Sequence, residues 1–205
     1  MRYLTHVTSH LLTLRGAIWW PPPYDDPVVG LLLDIEAVPT VITGIAVGPV
    51  DVTVVRLDDP PATELDGWED MVEISIVAAG RVHAVGMEDP PPADGRLDRD
   101  GPGWYRLRIH AAGRDIAYDS VVDEPVEKYL VQSWPAPPES PRALSLSPSA
   151  LATVAARRSN PPPPRRAFVT PEWETRERER AFLARENLFR HSPQGQSDPD
   201  APSRQ

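Results

Sequence analysis

Apolar and polar positions alternate through GPGWYRLRIHAAGRD, which begins at Gly101: Tyr105, Leu107, Ile109 and Ala111 fall on one side, Arg106, Arg108 and His110 on the other. A period of two is the signature of a strand with one buried face. MVEISIV, from Met71, repeats it, with Val72, Ile74 and Ile76 opposed to Glu73 and Ser75. Such alternation predicts an antiparallel sheet, because a parallel sheet covered on both faces reads as an unbroken apolar run. Residues 3–14 are rich in Thr, Val and Leu and read as extended. Residues 28–38 place Val29, Leu31, Leu33, Ile35 and Ala37 on one face. Two β-branched runs, 41–47 and 50–57, read as neighbours joined by a tight turn at Gly48 and Pro49. Residues 81–87 read as the return arm of a hairpin around Ala79 and Gly80, and a last strand runs over 126–134, ended by Pro135.

The intervening stretches at 19–27 (WWPPPYDDP), 58–67 and 88–103 are dense in Pro, Asp and Gly and read as loops. Seven or eight strands with few helical periods predict an all-β fold, an antiparallel β-sandwich over residues 1–137, with a partly open barrel as the alternative.

The character of the chain changes at Pro138. Among its 205 residues are 26 prolines and only 3 phenylalanines, and polar proline-rich tracts bury too little apolar surface to offset the entropy of ordering. Residues 138–169 read as a proline-rich linker with a short helix from Ser149 to Arg157 and an extended spacer at Pro161 to Pro164. Residues 170–190 predict a charged amphipathic helix. Thr170 is its N-cap, Pro171 its first residue, and Glu172 and Glu174 sit four residues ahead of Arg176 and Arg178. Residues 191–205 read as a disordered tail.

Charge divides the chain in the same place. From Pro138 onward there are 11 Arg and no Lys against 8 acidic residues, a balance of +3, which leaves −12 in residues 1–137 out of a net −9. An acidic body is repelled by nucleic acid and by anionic membranes, so neither is an expected direct partner, whereas a basic protein is. No apolar run reaches a membrane span, and Thr5, His6, Thr8, Ser9 and His10 interrupt the opening MRYLTHVTSHLLTLRG where a signal peptide would need its apolar core. Together with the absence of cysteine, this predicts a cytoplasmic protein.

Candidate chemistry is sparse. His6 and His10 on one strand would stand roughly 13 Å apart, too far to share a metal. There is no G-x-S-x-G elbow, no glycine-rich phosphate loop, and a single lysine, Lys128. The pairs Asp25-Asp26, Asp58-Asp59 and Asp123-Glu124 adjoin prolines and read as turn residues. No catalytic residue, metal site or cofactor is therefore expected. The binding candidates are Trp19, Trp20, Trp68, Trp104 and Trp134, as a platform or as plugs at the ends of the sandwich, with Trp19 and Trp20 expected to be exposed in their proline loop. Arg106 and Arg108, with His110, form either an anion-accepting strip or cross-strand pairs with neighbours such as Glu73.

Three segments, WEDMVEISI from Trp68, GPGWYRLRIHAAGRD from Gly101 and EKYLVQSWPAPP from Glu127, resemble a family of actinobacterial β-sandwich proteins. More distantly they resemble competence protein J, a small acidic inhibitor of a DNA-entry nuclease. The resemblance covers roughly residues 40–138 and implies the sandwich fold, no catalytic residue, and a nuclease as the basic partner. The expected function is non-enzymatic protein binding or regulation, in its most concrete form inhibition of a nuclease. The alternative is a carbohydrate- or small-ligand-binding module, or an enzyme, using the tryptophans and loop carboxylates.

Overall fold

The alternating segments become nine strands in the computed structural model, which describes residues 1–20, 30–35, 37–63 and 66–159. They are β1 (Arg2–Val7), β2 (Leu11–Trp20), β3 (Leu32–Ile35), β4 (Val38–Ile42), β5 (Gly48–Arg56), β6 (Asp70–Gly86), β7 (Gly103–Ala112), β8 (Lys128–Pro135) and β9 (Arg142–Ser145), followed by one helix, α1 (Pro148–Ser159). The all-β class expected from the alternation is found. The strands join in one ladder of order β1-β5-β8-β7-β6-β2-β4-β3, with β9 on β6. Every pairing is antiparallel except β5 with β8.

The sheet curls so that β1, at one end of the order, reaches the distal half of β6. The Tyr3 hydroxyl donates to the Ala84 carbonyl at 2.8 Å, and the Gly86 amide donates to Thr5 Oγ1 at 2.9 Å. Inside the curl lie the apolar sides of the alternating strands: Val50, Val52 and Val54 of β5, Val72, Ile74 and Ile76 of β6, Tyr105, Leu107 and Ile109 of β7, and Tyr129 and Val131 of β8.

Local expectations are corrected at several points. Ala79 and Gly80 do not turn a hairpin, because β6 runs unbroken through them and β2 pairs with both of its halves across a bulge between Arg15 and Ala17. Gly16 makes the bulge possible: its φ is +87° and a Cβ there would lie 2.3 Å from the Arg81 carbonyl oxygen. Glycine within a strand marks a bulge or bend as readily as a turn. The same bulge resets the phase of β2, so Ala17 and Trp19 face the core and Trp19 is 2% exposed rather than lying in an exposed loop. Second, the runs at 41–47 and 50–57 are not neighbours. Gly48 and Pro49 begin β5, which pairs with β1 and β8, while β4 pairs with β2 and β3. Third, the apolar face read over 28–38 is cut short, because Asp34 accepts a hydrogen bond from the Ala37 amide and turns β3 into β4.

The described part of the expected linker is packed structure. β9 pairs with β6, and α1, near the place predicted for a short helix, buries Ala150 and Val154. A Cβ on Gly30 would lie 2.6 Å from the Ala150 carbonyl oxygen, which shows how closely the backbones approach there. The proline spacer, the charged helix at 170–190, the tail at 191–205 and most of the 19–27 loop lie outside the described residues, as does the side chain of Trp20.

Candidate functional site

The polar face of β7 is neither open nor wet. Register places Glu73 opposite Arg108 and Ser75 opposite Arg106, while Arg142 of β9 stands beside Glu73 on its other flank. The Glu73 carboxylate accepts from Arg106 Nε at 3.3 Å, Arg108 Nε at 2.8 Å and Arg142 Nε at 2.7 Å. Glu73 is fully buried, and Arg106 and Arg108 are only 2% and 4% exposed. Three guanidiniums around one carboxylate leave positive charge to be balanced, and backbone carbonyls supply the remaining acceptors. Arg106 donates to Ser75 Oγ and to the carbonyls of Glu139 and Ser140; Arg108 donates to those of Pro61 and Ala62. The strip forms the cross-strand pairs weighed above, and segments 61–62 and 139–142 close over it.

Burial works against ionisation of Glu73, but the hydrogen bonds and charges of Arg108 and Arg142 outweigh it and hold the carboxyl below its ordinary value. Trp134, Trp104 and Trp68 lie on the polar side of β7 or beside it, whereas Trp19 packs in the apolar core. Trp134, buried, lies under the Arg108 guanidinium at 5.7 Å. Trp104 packs with Val77 and Ile18. Trp68, half-buried, stands between the His110 ring at 5.2 Å and the Lys128 ammonium at 4.8 Å. Of the tryptophan candidates whose side chains are described, only Trp68 presents an appreciable surface, and no shared platform forms among the described residues.

His110 uses Nε2 to reach Gln132 Oε1 at 3.0 Å, and its buried Nδ1 meets no partner among the described residues. Burial pushes its pKa below the ordinary 6.5, the Gln132 hydrogen bond opposing, and burial does the same to His83. The unfolded chain thus takes up protons that the folded chain refuses until lower pH, so stability rises with pH across that interval. Stability should fall as the pH drops from about 7 through 6.5 toward the depressed folded values. His110→Gln should flatten the decline, leaving the part due to His83; urea midpoints that fall equally steeply in the variant would count against His110.

A second polar group, missed by sequence reasoning, locks one end of the sheet. Arg114 donates to Asp70 at 2.8 Å and to the Ile42 carbonyl at 3.1 Å, and Asp70 also accepts from the Ser147 amide at 2.8 Å. Glu127 accepts from the Gly44 and Ile45 amides and from the Tyr129 hydroxyl, while burial pushes its carboxyl above the ordinary value. The signal was present only as acidic and basic residues at the ends of apolar strands. Among the described residues no group of three or more His, Cys, Asp or Glu is placed to hold a metal, and no helix is long and apolar enough to cross a membrane.

The fold and this enclosed layer define a mostly β protein built on one curled nine-stranded sheet. No family model matches the chain, and no curated protein matches it. A solved structure described as "Crocagin biosynthetic gene J" is similar at a TM-score of 0.37 and 14% identity, over 67% of this chain and 99% of that one. That likeness is too loose to bear on function. None of these comparisons shows the resemblance to competence protein J expected from the three sequence segments.

Proposed function

We propose that this chain is a non-enzymatic, protein-binding regulatory protein whose acidic surface engages a basic protein. The observation that carries the reading is the enclosure of Arg106, Arg108 and Glu73, which turns the strongest basic strip of the body inward while carboxylates such as Asp59, Asp66 and Asp94 stay exposed. The surface left for a partner is acidic, which favours fast encounter with a positive cleft and disfavours nucleic acid or an anionic membrane. Burial of Trp19, Trp104 and Trp134 supports this reading over a carbohydrate platform. The competence protein J resemblance supports a nuclease as the partner, encountered in the cytoplasm.

Nuclease activity in native lysate, assayed with and without added protein, tests the proposal. The wild-type protein should suppress a salt-sensitive activity, and a variant carrying Asp59→Lys, Asp66→Lys and Asp94→Lys should lose most of that suppression with its thermal unfolding unchanged. Equal suppression by the charge-reversed variant would sink the acidic-face reading, and no suppression by wild type would sink the nuclease version. A tryptophan fluorescence change on adding a glycan would favour the carbohydrate alternative.

A further inference from the structure

The loop between β7 and β8 carries the three most exposed large apolar side chains among the described residues. Ile116, Tyr118 and Val121 are 72%, 68% and 74% exposed. Single exposed apolar residues are ordinary. Three within six positions of one loop, the middle one a tyrosine, are a different matter, because tyrosine is enriched among residues that dominate binding energy.

The loop is held in place rather than left to collapse over its own apolar groups. Arg114 anchors its start through Asp70 and the Ile42 carbonyl. The Asp119 amide donates to the Gly44 carbonyl at 2.9 Å, the Ala46 amide to the Ser120 carbonyl at 2.9 Å, and the Val122 amide to the Val47 carbonyl at 3.0 Å. Ala117, Val122 and Val126 pack against the core while their neighbours point away from it. Gly44 leaves no slack, since a Cβ there would lie 1.8 Å from the Arg114 carbonyl oxygen.

Tyr118 also rests on a fixed support. His10 lies 6.3 Å from it, centroid to centroid, and reaches Asp119 at 3.1 Å and the Thr43 carbonyl at 3.1 Å. Ser9, His10 and Asp119 all hold positive φ, at 54°, 64° and 56°. Non-glycine residues keep such conformations only where their surroundings enforce them. The backbone bonds from His10 to Ala46 and from Thr43 to His10 do so here.

The loop's charge indicates what it fits. Asp115, Asp119, Asp123 and Glu124 are exposed around the apolar trio, and residues 115–126 contain no Lys or Arg. Arg114, the nearest cation in sequence, is turned inward to Asp70. Apolar anchors in a ring of like charge match the plan of a binding patch, with its hot spots central and its charges at the rim.

Resting on the protein-binding reading above, we propose that residues 115–124 are the contact loop and that its occupant is a separate protein whose basic surface surrounds an apolar pocket for Tyr118. The pinned backbone spares the complex most of the cost of ordering a loop.

Site-specific photo-crosslinking on the full chain tests this, with p-benzoylphenylalanine replacing Tyr118 in one protein and Met87, 51% exposed, in another. The expected result is one basic protein joined at position 118 and not at 87. Once identified and purified, it should bind the wild type, with association slowed on the order of tenfold at high salt, and bind Tyr118→Ala about thirty-fold more weakly. Tyr118→Phe should bind nearly as wild type, and near-ultraviolet circular dichroism should show both variants folded. A partner joined at position 87 instead, or binding Tyr118→Ala as tightly as wild type, overturns the loop assignment and leaves the protein-binding reading standing. Crosslinks to residues 160–205 of the same chain, to a second copy or to an acidic protein overturn the assigned occupant. No crosslinked protein at either position removes both the loop assignment and the reading beneath it.

Discussion

Glu73→Ala should lower the unfolding free energy by about 3–5 kcal/mol, the range for removing one partner of a buried ion pair. The size follows from what is left behind. Arg106 and Arg108 stay buried with their charges, and the only carboxylate among the described residues that touches both is gone. Backbone carbonyls still accept from each, but a carbonyl dipole does not replace a full negative charge. A small domain has about 5–15 kcal/mol in all, so the variant should be marginal at room temperature. Urea denaturation measures it directly, as a lower midpoint with little change in slope. Arg142→Ala should cost far less, since that guanidinium is 55% exposed and its contribution is screened by solvent. If the two substitutions cost the same, Glu73 is not the centre of the layer. Because Glu73 titrates below its ordinary value, its contribution is complete above the unfolded carboxylate pKa and is lost as the pH falls through the folded one.

Cutting the chain after Pro137 should cost about as much, although the boundary looks harmless in the sequence. Residues 1–137 would retain Arg106 and lose its acceptors at Glu139 and Ser140. They would also lose Arg142, the β9 ladder on β6, and the bond from the Ser147 amide to Asp70. Each buried donor left without an acceptor costs about 1–3 kcal/mol, so the shortened protein should be destabilised by roughly 3 kcal/mol or more. A chain of residues 1–159 should keep the wild-type thermal midpoint far better. Matching midpoints for 1–137 and 1–159 would show that the closing segment adds nothing. Binding experiments with the shorter chain would then be safe, whereas on the present structure they would report on a damaged sheet.

Legibility varied along the chain for physical reasons. The pairing of Glu73 with Arg108 was within reach because antiparallel neighbours on one face meet at fixed spacing, and both residues lie on clearly alternating strands. Trp19 misled because it reads as part of the proline loop that follows, whereas β2 runs on through Trp20. A single bulge at Gly16 moves every later residue of β2 to the opposite face. The hairpin expected at Ala79 and Gly80 failed for a related reason, since the sequence does not record whether a glycine turns the chain or bends it. The exposed trio of the 115–124 loop carried no periodic signal. Ile116, Tyr118 and Val121 resemble core residues in composition, and only their placement shows that nothing among the described residues covers them.

Alternation determined the all-β class and the positions of β5 to β8, and composition determined the acidic body, because side chains on a strand must point to opposite faces and charge is a sum over residues. The tertiary structure decided where the second face goes. Segments far apart in sequence, at residues 61–62 and 139–142, fold over Arg106, Arg108 and Glu73. No local pattern encodes that closure, because it depends on the curl of the sheet and on carbonyls that every residue carries.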